Sequence, residues 1–264
     1  MPGILTPITE VYTVGKGLVF FNQFAPNTQV GIGEDFLGDC KGLNVTVKST
    51  QIDHYQSTGG VKTLDQSATI QADSSGQLMT ENNSPANMAR FFFGTASTVA
   101  QTAAAVASAS LATPVIPGLY YQIGATVSNP MGVQNLDPAT PIVVKDAAGV
   151  TTYVAGTDYA VDYPTGRIQI LVGGAIVAGT IPKVAYSTKA SSKNLVLSGT
   201  TPLEGSLRFV SNNITGTQRM LLLPWVKLIP NGTYELIGDK FIEMTFDLKV
   251  LSLSGGPFVQ SIDL

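Results

Sequence analysis

The stretch FIEMTFDLKVLSL, residues 241–253, decides the fold class of this chain. Its apolar side chains occupy every second position and alternate with polar or charged ones. In a β-strand this spacing places one class on each face, whereas a helix would scatter both classes around its circumference. We therefore predict a long half-buried strand over 241–253 and a mainly β protein.

A tight hairpin is predicted immediately before this strand. Trp225–Ile229 and Thr233–Ile237 are short apolar segments that flank Pro230-Asn231-Gly232. An Asn-Gly pair accepts the positive φ that a tight reversal requires. The two segments are therefore expected to pair with each other and to lead the chain into the long strand.

A second hairpin is predicted nearer the amino terminus. Apolar residues alternate with polar ones over 43–48 and again over 68–73, and the polar segment Ser49–Gln66 joins the two stretches. This segment contains Gly59-Gly60 and is longer than the connections that compact domains normally use. We expect a hairpin with a long, mobile tip.

One short helix is predicted between these strands. Ser84 supplies a capping hydroxyl, and Pro85 occupies the first helical position, where a missing N–H costs nothing. Ala86–Phe93 forms two turns, and Gly94 ends the helix. The apolar load of this segment predicts that it packs against the sheet.

The middle of the chain reads as an insertion. Residues 95–113 are rich in Ala, Ser and Thr, and their β-branched members favour an extended segment over a helix. After Pro114 come short strands separated by Gly-containing turns, a pattern typical of small β-sandwiches. The strands are predicted at Tyr153–Ala155, Tyr159–Val161, Arg167–Leu171 and Lys183–Tyr186. We expect a β-sandwich or barrel domain with one short helix from residues 1–113 and 188–264, and an inserted β-sandwich-like (Ig-like) module over 114–187.

Composition limits the classes of function. Hydrophobic residues make up 44% of the 264 residues and charged residues only 12%, about half the usual share, which favours extensive contacts between subunits. A net charge of −3 argues against an electrostatic grip on nucleic acid. Cys40 is the only cysteine, so neither an internal disulfide nor a Cys-based zinc site is available. No apolar run reaches membrane-spanning length, and Met1–Ile4 lacks a signal-peptide plan, so we expect a soluble protein made in the cytoplasm.

No catalytic arrangement stands out. His54 is the only histidine, and it lies in the polar hairpin segment rather than in an apolar pocket. Gly31-Ile32-Gly33 lacks the later glycine, the lysine and the helix of a nucleotide-binding loop, so turn glycines explain it better. Four aspartates that could line calcium-binding loops lack a recognised ligand spacing: Asp137, Asp146, Asp158 and Asp162. Trp225 is expected to pack in a core or an interface. We predict a non-enzymatic protein without cofactor or metal.

Taken in order, several segments resemble the major tail tube proteins of long-tailed, non-contractile bacteriophages. The similar segments are Lys16–Phe21, Asp35–Asp39, Leu43–Asp73, Glu81–Gly94, Gly118–Gly124, Gly156–Ile168, Glu204–Phe209 and Leu223–Gly232. Together they cover nearly the whole chain, although no single segment is diagnostic. The Ala/Ser-rich residues 102–110 are less varied than this resemblance leads us to expect.

The resemblance implies a structural subunit of a virion. Six copies would form a ring whose strands close one β-barrel around a channel, and stacked rings would form the tube that conducts DNA during ejection. A tape measure protein would occupy the lumen, and tail terminator and distal tail proteins would bind the ends. DNA would pass through without specific binding, and no membrane partner is implied.

The strand predicted over 241–253, with one apolar and one polar face, suits a barrel wall whose polar face lines a water-filled lumen. The residues predicted to face the lumen are Glu243, Thr245, Asp247, Lys249, Gln71 and Asp73. A modest net negative charge there would let DNA slide rather than stick. The residues predicted to make ring-to-ring contacts are Asp53, His54, Tyr55, Gln56, Gly59 and Gly60. Two other functions stay open: a carbohydrate- or surface-binding β-sandwich protein, and another virion protein such as a tube terminator or a capsid decoration protein.

Overall fold

The computed structural model describes residues Tyr12–Leu264, so the prediction drawn from Met1–Ile4 lies outside the described residues. The described part of the chain contains sixteen β-strands and one short α-helix, which confirms the mainly β class. The elements run β1 Gly17–Phe24, β2 Gly31–Phe36, β3 Cys40–Gln56, β4 Thr63–Thr80, α1 Pro85–Phe91, β5 Thr95–Gln101, β6 Ala104–Ser110, β7 Tyr120–Gln122, β8 Val143–Lys145, β9 Tyr159–Asp162, β10 Arg167–Ile170, β11 Lys183–Thr188, β12 Ser191–Leu197, β13 Leu203–Ser211, β14 Arg219–Pro230, β15 Met244–Val250 and β16 Gln260–Asp263.

The chain divides into two compact units. Unit 1 consists of the described residues up to Ser97 together with Val196–Leu264, and unit 2 consists of Thr98–Leu195. The inserted unit is thus wider than the predicted 114–187. The reason is strand pairing: β6 lies antiparallel to β11, which draws residues 104–110 into the insertion.

Unit 1 is built on one antiparallel sheet in the order β2-β1-β13-β14-β15-β4-β3, with β16 added beside β14. The sheet does not close on itself, so β2 and β3 form its two edges. Its apolar side carries the core, in which Phe21, Leu78 and Leu248 are 0–1% exposed. Helix α1 and Leu37 contribute to the same cluster.

The alternation predicted for 241–253 is present in β15. Met244, Phe246, Leu248 and Val250 are buried, while the residues between them are partly or fully exposed. The strand is shorter than predicted. It begins at Met244, because the preceding residues form a loop in which Phe241 is 83% exposed.

The prediction of a hairpin between 225–229 and 233–237 is wrong. Strand β14 continues to Pro230 and pairs with β15, while Thr233–Ile237 forms no strand. The backbone N–H of Asn231 bonds to the carbonyl of Thr245 at 2.9 Å, which directs the chain onto β15. Strand β15 offers four buried apolar side chains to the core, whereas Leu236 and Ile237 are 78% and 93% exposed. Long-range burial therefore outweighs the local turn signal.

The predicted hairpin near the amino terminus is present, but its description needs correction. Strands β3 and β4 pair antiparallel along almost their full length, with local register shifts, so most of residues 49–66 belongs to the ladder. Only residues 57–62 form the tip. The polar composition of this segment indicated a loop, yet alternating exposed strands are equally polar.

Helix α1 begins as predicted after the Ser84 cap but ends at Phe91, two residues before the predicted Phe93. The Ser84 hydroxyl accepts the N–H of Asn87 at 3.2 Å, which confirms the cap. At the exit, Phe93 and not Gly94 takes the left-handed conformation, with φ of 53°. Gly94 donates its N–H to Ala89 at 2.7 Å, and it passes so close to the carbonyl of Leu197 that an added Cβ would lie 1.7 Å from that oxygen. A glycine is needed at position 94 because the two backbones approach each other closely, and not because the residue has a positive φ.

Unit 2 contains two three-stranded sheets, β7-β10-β9 and β6-β11-β8. Both contribute to one apolar cluster, to which Ile168 and Val184 belong, as a small sandwich requires. Three predicted strands correspond to β9, β10 and β11. The fourth, Tyr153–Ala155, is not a strand, because this region forms only isolated bridges. Residues 95–113 are extended, as predicted, in β5 and β6.

Gly94→Ala is expected to lower the free energy of unfolding of the protein by about 1–3 kcal/mol, since the methyl group would overlap the Leu197 carbonyl and force the backbone apart. Urea denaturation followed by circular dichroism measures the change. Gly60→Ala is the control, because its Cβ would meet nothing within 4 Å. Equal stability of the two variants would contradict the assignment.

Candidate functional site

The most unusual feature of unit 1 is the outer part of the β3/β4 hairpin, residues 46–73, here named the arm. Every residue of the arm is exposed, on both faces of the ribbon. Burial begins again at Ser74, where β4 enters the sheet. At about 3.3 Å per residue the arm extends roughly 35 Å beyond the sheet. It is therefore a free two-stranded ribbon rather than a surface loop.

The arm exposes large apolar side chains as well as polar ones. Its large apolar residues are 50–78% exposed, namely Val47, Ile52, Tyr55, Val61, Leu64 and Ile70. Tyr55 and Leu64 lie directly opposite each other near the tip. A two-stranded hairpin is only marginally stable in water without a covered face. These side chains therefore constitute a surface suited to contact with another chain.

The residues predicted to make ring-to-ring contacts lie together at the far end of the arm. Asp53 accepts the hydroxyl of Ser67 at 2.6 Å, and Nδ1 of His54 lies 2.6 Å from a carboxylate oxygen of Asp65. Gln56 ends β3, and Gly59 and Gly60 lie in the tip. These side-chain bonds run between the two strands, so they stabilise the ribbon and leave its apolar residues free.

Five of the six residues predicted to face the lumen share one face of the sheet, here named the polar face. Thr245, Asp247 and Lys249 lie on β15, and Asp247 and Lys249 are opposite Gln77 and Ser75 of β4. Asp73 and Gln71 continue this alternation along β4 and are bonded to each other at 2.7 Å. Glu243 is the exception, because it precedes β15 and forms an ion pair with Lys41 at 2.5 Å.

Lys41 joins two carboxylates at one end of the sheet. Its ammonium contacts Glu81 at the end of β4 and Glu243 in front of β15. The hydrogen bonds that Lys41 donates to these carboxylates, above all to Glu243, raise the pKa of Lys41 above its usual range. Through its ion pair with Lys41, Glu243 therefore links the start of β3 to the start of β15.

The charge of the polar face differs from the expected excess of negative charge. Its carboxylates have lysines close by: Asp73 is opposite Lys48, Glu204 pairs with Lys227 at 2.7 Å, and Lys249 lies on the same strand as Asp247. The Asp247 carboxylate also accepts two bonds from the side-chain amide of Asn231, both 2.9 Å. The sequence prediction overlooked the lysines of β3 and β14, which no local pattern assigns to this face. The face is polar but close to neutral.

Trp225 occupies a defined place beside this face. Its indole N–H donates to Glu204 at 2.8 Å, and Glu204 also accepts Lys227. The ring borders a concave region of about 720 Å³ that the β1–β2 turn and Phe93 also line. Half-buried packing agrees with what the sequence indicates for this residue.

The remaining sequence candidates form no chemical site in the part of the chain that the structure describes. Gly31 and Gly33 lie in β2, which pairs with β1 and is not followed by a helix. Among residues 12–264 no group of three or more side chains is placed to hold a metal ion. Asp158 instead accepts the N–H groups of Val154 and Ala175, both at 2.7 Å, and these bonds lower its pKa. No helix among residues 12–264 is long and apolar enough to span a membrane.

The fold and these surfaces define a mainly β protein with an inserted β unit and a projecting hairpin. Residues 12–254 match the family described as "protein of unknown function UCP028589", and the chain belongs to this family. A search of curated proteins found no match.

The Trp225–Glu204 bond gives a test by fluorescence. Lys227, and to a smaller extent Trp225, hold the pKa of Glu204 below its ordinary 4.5. Because this folded-state pKa is lowered, the stabilisation is present above the unfolded pKa and is lost as pH falls through the folded pKa. Trp225 is the only tryptophan, so its emission should titrate with a midpoint below 4.5.

Two variants control this titration. Glu204→Gln should abolish it, and Lys227→Met should move its midpoint upward, since the main favourable partner of the carboxylate is removed. A wild-type midpoint at or above 4.5 would contradict the assigned contacts.

Proposed function

We propose that this chain is a self-assembling structural subunit of the kind that forms the tail tube of a long-tailed, non-contractile phage. The observation that carries the proposal is the arm, residues 46–73, whose two faces are both exposed. A ribbon with this much exposed apolar surface gains stability when another chain covers it. A further copy of the same chain is the simplest source of that cover.

The edges of the sheet support the same proposal. Strands β2 and β3 lie at opposite ends of the sheet order, so each presents unpaired backbone groups. Native proteins usually cover or pair such edges, since an open edge invites association. Contact between the β2 side of one copy and the β3 side of the next would use two different surfaces. Contacts of this type either close a ring or propagate as a filament.

Stacking of rings is assigned to the outer part of the arm, residues 51–69, whereas Gln71 and Asp73 nearer the sheet stay with the polar face. With side-by-side contacts made through the sheet, the arm remains available to reach a neighbouring ring. Loop residues between β14 and β15 offer further apolar surface, with Leu236, Ile237 and Phe241 each at least 78% exposed. These groups are the candidates for contacts along the tube axis.

The polar face is assigned to the lumen. Hydroxyl and amide groups lie between the charged residues along β4 and β15, and lysines balance the carboxylates of the face. A neutral surface of this kind neither holds DNA phosphates nor strongly repels them. Such a surface suits the passage of DNA. The proposal also includes a tape measure protein in the lumen, terminator or distal tail proteins at the ends of the tube, and a location in the virion.

Negative-stain microscopy of the purified protein tests assembly. We expect stacked rings that grow into tubes as concentration rises. Tyr55→Ser combined with Leu64→Ser should abolish tubes while leaving the circular dichroism spectrum of the subunit unchanged, because both side chains are already exposed. Val127→Ser combined with Val150→Ser is the matched control, since these valines are 104% and 82% exposed and lie in unit 2.

Discrete particles at every concentration and salt condition would overturn the proposal. Single rings without tubes would point instead to a terminator-like or decoration protein. If the Tyr55→Ser, Leu64→Ser variant formed normal tubes, the arm would not be part of the interface between subunits.

Asp73→Lys tests the assignment of the lumen. The change converts a carboxylate opposite Lys48 into a second cation, so the neutral face becomes basic. Tubes assembled in the presence of short DNA duplexes should then retain more nuclease-protected DNA, with release by salt. Asp162→Lys adds the same charge on the exposed surface of unit 2 and should not increase protected DNA. Equal protection in both variants would show that this face lies outside the lumen.

A further inference from the structure

Unit 2 contains a groove that strand pairing and core packing do not account for. It has a volume of about 470 Å³, within the range of small-molecule sites of roughly 300–1,000 Å³. Its apolar lining includes Val99, Val106, Met131 and Leu195. The groove lies wholly within unit 2 and involves none of the surfaces assigned to assembly.

A cation without a carboxylate partner lines this groove. The Lys193 ammonium is half-buried and donates to the side-chain oxygen of Gln134 at 2.8 Å. No carboxylate of residues 12–264 forms an ion pair with it, whereas the nearby Lys189 pairs with Asp137. A partly desolvated cation of this kind is stabilised by an incoming anion.

Tyr186 provides a second group that points to a ligand. Its side chain is only 8% exposed and lines the groove. The hydroxyl makes no hydrogen bond to any residue between Tyr12 and Leu264. The hydroxyl oxygen keeps some exposure to solvent, so it is available to a molecule bound in the groove. Burial also raises the pKa of Tyr186, which keeps it a neutral donor.

The rim is held in place by a network of amides. The Gln101 side chain accepts the backbone N–H of Gln134 at 3.2 Å and donates to the carbonyl of Lys189 at 3.1 Å. This network fixes Gln134, which in turn positions Lys193. Fixed polar groups around an apolar floor are the usual arrangement of a preorganised site.

We propose that this groove binds a carboxylate-bearing saccharide unit, that is, a sugar acid. Lys193 would receive the carboxylate, and Tyr186 a ring hydroxyl. Asn129 and Asn194 also line the groove and offer further amide groups to hydroxyls. A ligand with a single polar head would leave these separate groups unpaired, whereas the apolar floor suits the C–H face of a sugar ring.

Ligand-observed NMR on the full chain tests the site, with a short oligogalacturonate as the probe and the galactose oligomer of equal length as the neutral comparison. We expect saturable binding of the acidic oligomer with a Kd on the order of 1 mM, and binding of the neutral one about tenfold weaker. Lys193→Gln should remove this preference, and Lys193→Arg should keep it. Tyr186→Phe, which preserves the packed ring, should weaken both ligands severalfold.

Lys183→Gln is the matched control, since Lys183 lies in the same unit but does not line the groove. Three outcomes would overturn the proposal: no saturable binding, equal binding of the acidic and neutral oligomers, or hexanoate binding as tightly as the acidic sugar. A preference that survives in Lys193→Gln would also overturn it. None of these results depends on whether the chain assembles into tubes.

Discussion

The alternation along β15 is the constraint on which unit 1 depends. Side chains of a strand point in turn to opposite faces, and a shift of one residue would exchange the two faces completely. With Met244, Phe246, Leu248 and Val250 in the core, the register of both neighbouring strands follows: Leu228 lies opposite Leu248, and Leu78 opposite Phe246. The polar face is the necessary counterpart of this core.

Strand β4 shows where this constraint ends. It pairs with β15 up to Ser74, and from Asp73 outward it has only β3 as a neighbour. Backbone hydrogen bonding continues across this point, whereas burial stops. The arm therefore satisfies its polar groups internally but not its apolar ones. This imbalance is the observation behind the proposed contact of the arm with another chain.

Local signals in the sequence were sufficient where the structure is decided locally. The cap at Ser84 and the alternation of β15 depend on neighbouring residues, and both could be predicted. The hairpin at Asn231-Gly232 failed because β15, rather than the adjacent segment, supplied the better partner. The compact unit 2 is wider than the insertion expected from the sequence for a similar reason. The pairing of β6 with β11 joins residues about 80 positions apart, and the Ala/Ser-rich β6 carries little alternation.

The candidate sites divide in the same way. The sequence identified the residues of the arm tip and most of the polar face, but it treated the arm as a loop and did not see the lysines that neutralise the face. The groove of unit 2 was missed altogether. Tyr186 and Lys193 lie on different strands and match no motif, and only the folded chain brings them to one groove. The absence of a nearby acidic residue in the sequence around Lys193 was the one available hint.

The ribbon formed by β5 and β12 has a consequence of a different kind. The chain enters and leaves unit 2 on two paired strands, and Thr98 and Asn194 are within hydrogen-bonding distance of each other at 3.4 Å. An insertion whose ends adjoin can be gained, lost or exchanged with little effect on the path of the host chain. Unit 2 can therefore change in sequence, or be replaced, while the sheet of unit 1 remains under separate selection.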